Sequence, residues 1–62
     1  MQEASLTEPR RKRIFLALVA AQDEGASVEK SRKIIADRFA VSEDQVRRIE
    51  EEGLEGDWLP LR

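Results

Sequence analysis

The sequence predicts an all-α fold. It is a small three-helix bundle in which a tight turn joins the last two helices and an apolar C-terminal tail packs on the first. Three observations predict it. Thr7, Ser27 and Ser42, hydroxyl residues suited to begin a helix, each precede a segment with apolar residues at three- and four-residue spacing. Gly25 and Gly53 follow the first and third segments, where helices commonly stop. The 62 residues include no cysteine and no histidine, so neither disulfides nor the usual zinc ligands can substitute for helix packing.

Residues 1–6 are expected to form a flexible N-terminus, residues 7–53 the three-helix unit and residues 54–62 the tail. Thr7 caps the first helix. Glu8 faces the positive end of the helix dipole, and Pro9 lacks only an N–H that had no partner. The helix then runs from about Glu8 to Asp23 or Glu24, with Gly25 as its stop. Ile14 to Val19 also reads as a buried strand, but the alanines, the length and the caps favour a helix. Ser27 caps a second helix over Val28 to Phe39, and Ala40 and Val41 make the turn. Ser42 and Gln45 form a Ser-x-x-Gln capping box for a third helix, from Glu43 to about Glu52, ended by Gly53. Helices this short are marginal alone and must pack on one another.

The middle of the first helix is apolar almost all the way round, more than two short helices can cover. Trp58, Leu59 and Leu61 in the tail supply a cover. The rival arrangement places Phe15, Leu16 and Val19 in a homodimer seam, with the tail exchanged between chains, and the sequence leaves both open.

Composition removes several classes of function. Without histidine or cysteine there is no neutral-pH acid–base group and no thiolate, and no carboxylate pair or phosphate loop stands out, so neither catalysis nor a cofactor is expected. The longest apolar run, residues 14–21, falls far short of the roughly 20 residues that span a bilayer. The N-terminus lacks the basic-then-apolar layout of a secretion signal, which points to a cytoplasmic protein. The net charge of −2 is unevenly spread: residues 10–48 carry ten basic and six acidic residues, whereas residues 49–62 carry five acids against Arg62. A basic body with acidic ends leaves a nucleic-acid partner open, because such partners read local patches.

The stretch over residues 32–51 is the most informative. Ile35, Ala36, Phe39, Val41, Val46 and Ile49 are spaced to fill a wedge between two helices, and small Ala36 lets them approach closely. This stretch resembles the helix-turn-helix of DNA-binding proteins, closely over about twenty residues and loosely over residues 7–53. One departure is Ala40, where that family most often has glycine. An alanine held in the left-handed conformation costs about 1 kcal/mol, unless the turn opens.

The resemblance implies binding of double-stranded DNA, as a transcriptional regulator or a DNA-binding module. The third helix would enter the major groove, its Arg47 and Arg48 offering paired donors to guanine. Ser42 and Gln45 would sit near a phosphate at the helix start. Arg32 and Lys33 on the second helix, and Arg10 and Arg11 on the first, would brace the backbone. Glu43 and Asp44 occupy contact positions too, where an acid accepts from cytosine N4 but repels phosphate. Glu50, Glu51 and Glu52 read as a solvated helix end. These acids support a second reading, a protein-interaction adaptor that presents the acidic face of the third helix to a basic regulatory partner. A third is an accessory domain of a longer chain.

Overall fold

The computed structural model describes residues 6–58. Three helices occupy them, α1 (Glu8–Asp23), α2 (Val28–Phe39) and α3 (Glu43–Glu55), and each packs against the other two. All three starts follow the capping chemistry of the sequence. The Thr7 Oγ1 accepts from the Arg10 amide at 3.4 Å, and the Ser27 Oγ from the Lys30 amide at 3.1 Å. At α3 the box closes both ways: the Gln45 amide donates to the Ser42 Oγ at 3.0 Å, and the Ser42 amide to the Gln45 Oε1 at 3.1 Å. Each device satisfies an N–H that the helix itself leaves open. Gly25, with φ of 108°, turns the chain out of α1.

The core takes apolar side chains from every helix. Ile14, Phe15 and Leu18 of α1, Ile35 and Ala36 of α2, and Val46 and Ile49 of α3 are each at most 5% exposed. Phe39 and Val41 are half-buried against this cluster, so the whole wedge expected between α2 and α3 is in place. One buried polar residue was not anticipated. Ser31 is fully enclosed, its hydroxyl donating to the Val28 carbonyl at 2.8 Å and accepting from the Gln22 Nε2 at 3.1 Å. Both capacities of the hydroxyl are thereby used, so its burial carries little penalty.

The turn between α2 and α3 keeps the left-handed geometry. Ala40 has φ of 58° and ψ of 44°, and the Val41 amide returns to the Ala36 carbonyl at 3.0 Å. Replacing Ala40 with glycine removes the steric cost while leaving the unfolded chain freer, and is expected to stabilise the fold by about 0.5–1 kcal/mol net. Urea denaturation monitored by circular dichroism checks this; a midpoint unchanged or lowered by A40G would contradict the strain.

The third helix does not stop at Gly53. It continues through that residue to Glu55, with Gly56 at its C-cap. The reason is close packing. Gly53 is buried, and a Cβ there would overlap the ring edge of Phe15 and lie 2.8 Å from its Cγ. The missing side chain lets α3 rest on an aromatic ring instead of ending the helix.

Trp58 packs back on α1 as the tail was expected to do. Its ring meets Phe15 edge-on, with centroids 5.9 Å apart and planes at 81°, and its amide donates to the Gly53 carbonyl at 2.9 Å. The Lys12 Nζ sits 5.8 Å from the Trp58 ring centre. Leu59 and Leu61, and the expected flexible segment before Leu6, lie outside the described residues. Phe15, assigned to a dimer seam in the rival arrangement, is buried within the monomer, while Leu16 remains 44% exposed.

The acidic end of α3 also differs from the solvated terminus expected of it. Arg11 grips Glu52 with two bonds, Nε to Oε1 at 2.9 Å and Nη2 to Oε2 at 3.1 Å. Arg32 donates from Nε and Nη2 to the Glu50 Oε1 at 3.0 and 2.8 Å. One pair joins α3 to α1 and the other joins it to α2. Glu51 between them faces outward, whereas Glu50 keeps 16% of its side chain exposed and Glu52 43%, because helical periodicity turns the two toward the flanking helices.

Candidate nucleic-acid interface

The outer face of α3 carries Glu43, Asp44, Arg47, Arg48 and Glu51, all exposed. The same periodicity that buries Val46 and Ile49 turns these residues outward. Asp44 is the hub of the face. Its Oδ1 accepts from the Arg47 Nη2 at 2.8 Å, and its Oδ2 lies 3.2 Å from the Arg48 Nε. The hydrogen bond from Arg47, and then the charge of Arg48, hold the Asp44 carboxyl below the usual aspartate range. The same bond to Asp44 raises Arg47 above the ordinary arginine value. One carboxylate thus offsets part of the charge of two guanidinium groups.

Ser42 and Gln45 spend their side-chain bonding on each other in the capping box. They build the start of α3 more than they offer free groups to a ligand. Arg32 and Lys33 of α2 lie beside that start. A shallow depression is lined by Arg32, Glu43, Asp44 and Arg47, and a neighbouring one brings Lys30 and Lys33 against Arg32 and Glu43. Arg32 is tied to Glu50, whereas Lys33 has no ion-pair partner among the described residues. Eight of the ten candidate residues are therefore gathered around the first turns of α3.

Arg10 and Arg11 are engaged elsewhere. The Arg10 Nη2 donates to the Phe39 carbonyl at 3.1 Å, and its guanidinium lies 5.9 Å from the Phe39 ring centre. Arg11, besides gripping Glu52, donates to the Leu6 carbonyl at 2.6 Å. Both side chains tie α1 to its surroundings.

By charge alone Asp44 is a repulsive neighbour of phosphate, and its pairing with both arginines is not among the expectations from sequence. The signal was present, since residues three and four apart meet on a helix surface. The Arg11–Glu52 and Arg32–Glu50 pairs had no comparable signal, because their partners are 41 and 18 residues apart.

Among the described residues no group of acidic side chains is placed to hold a metal ion, and no helix is long and apolar enough to cross a membrane. Comparison with family models, with curated proteins and with solved structures gives no match.

Proposed function

We propose that this chain is a helix-turn-helix domain that binds double-stranded DNA, as a transcriptional regulator or a DNA-binding module of the cytoplasm. The observation that carries the reading is the presentation of α3. The capped helix follows a left-handed turn, and its Arg47 and Arg48 side chains stay 55% and 77% exposed. A helix so presented has the dimensions of the major groove, and its arginines supply the donors that guanine accepts. Lys30 and Lys33, with no ion-pair partner among the described residues, would take phosphates alongside. A homodimer through the exposed Leu16 side of α1, or through the tail, would read two half-sites if its third helices lay about 34 Å apart, one turn of the duplex.

Replacing Arg47 and Arg48 together with alanine is expected to abolish sequence preference. Titration of wild type and R47A/R48A against an enriched and a random duplex checks this. Equal preference in the two proteins would overturn the reading.

A second reading is favoured by one observation, the partial neutralisation of both arginines by Asp44 on a face that also carries Glu43 and Glu51. The face then has more acid than base and suits a basic protein partner, with Glu43, Asp44 and Glu51 as contacts and Arg47 at the rim. DNA affinity at two salt concentrations separates the readings. A DNA-binding face loses affinity steeply between about 50 and 200 mM salt, whereas an adaptor gives a weak and flat response.

A further inference from the structure

We propose that Asp44 is a positioning residue that makes α3 a reader of guanine edges in place of a general phosphate binder. This inference rests on the DNA reading above. The outer face of α3 holds two arginines and three acids, Glu43, Asp44 and Glu51, so its net charge disfavours phosphate. What the face retains is direction. Phosphate attraction follows charge and tolerates many geometries, whereas a base contact requires paired donors at a fixed angle.

The contacts on Asp44 separate the two arginines. A guanidinium has two edges with paired donors, Nε with Nη2 and Nη1 with Nη2. Arg47 meets the carboxylate through Nη2, the nitrogen common to both edges, at 2.8 Å. The Arg48 Nε lies 3.2 Å from the carboxylate as an ion pair without a hydrogen bond, and its Nη1–Nη2 edge makes no hydrogen bond among the described residues. That edge matches the O6 and N7 of guanine. Arg48 is also the more exposed of the two, at 77% against 55%. The geometry assigns Arg48 as the base reader and Arg47 as its brace.

The test compares wild type with D44N and R48K on a duplex enriched from a random pool and on a random duplex, at two salt concentrations. Wild type is expected to prefer the enriched duplex by about ten-fold or more. D44N is expected to bind the random duplex more tightly, to lose most of the preference, and to steepen the salt slope by up to about 2 as two freed arginines reach phosphates. R48K keeps the charge but not the fork, and is expected to lose the preference with random binding little changed. It sits at an exposed site, so its reading stands even if D44N weakens the helix. Preference retained in D44N or in R48K overturns the inference and leaves the DNA reading standing. A wild type with no salt-dependent duplex binding overturns both.

Discussion

Alanine at position 53 is expected to destabilise this protein, although glycine to alanine inside a helix ordinarily stabilises. Helix propensity alone favours alanine by about 1 kcal/mol. At Gly53 the added methyl group would overlap the edge of the Phe15 ring, which is 1% exposed and wedged in the core. Such a ring cannot step aside as the end of a flexible side chain can. Forcing an extra methyl into a filled core costs about 1–3 kcal/mol, which exceeds the propensity gain at most of that range. Thermal denaturation of G53A checks the sign. A melting temperature above wild type would mean that α3 can move off the ring at little cost, and the close approach would not be essential.

Truncating the ring itself is expected to have the larger effect. Phe15→Ala removes the largest fully buried side chain and leaves a cavity between α1 and α3, at a cost of about 3–5 kcal/mol. A domain of this size has little more than that to lose. The change also removes the edge-on partner of Trp58, the sole tryptophan of the chain. F15A is therefore expected to unfold largely at room temperature, with tryptophan emission shifted to the red and helical circular dichroism reduced. A folded F15A with unshifted emission would show that the Phe15–Trp58 contact contributes little.

These residues also mark where the sequence was and was not legible. Helix starts were readable because they depend on chemistry within three residues: Thr7, Ser27 and Ser42 each accept from the amide three positions on. The core was readable because Ile35, Ala36, Val46 and Ile49 recur at helical spacing and are buried as that spacing requires. Gly53 was misread because glycine serves both as a helix stop and as a place of close contact, and only the ring across from it decides which. Glu50 and Glu52 were misread for a similar reason, since their arginine partners come from other helices. At the candidate interface, the identity of the exposed side chains on α3 followed from periodicity. Their mutual pairing through Asp44 was legible too, once spacing was weighed alongside charge.

Alanine at residue 40 does more than add strain. Glycine in that position would hold the same fold with a broad choice of neighbouring backbone states, whereas alanine has only a narrow left-handed well to occupy. The link between the second and third helices is correspondingly stiff. Because both also pack on the first helix, the three would meet another molecule as one block, with little residual wobble to be frozen out at the moment of contact.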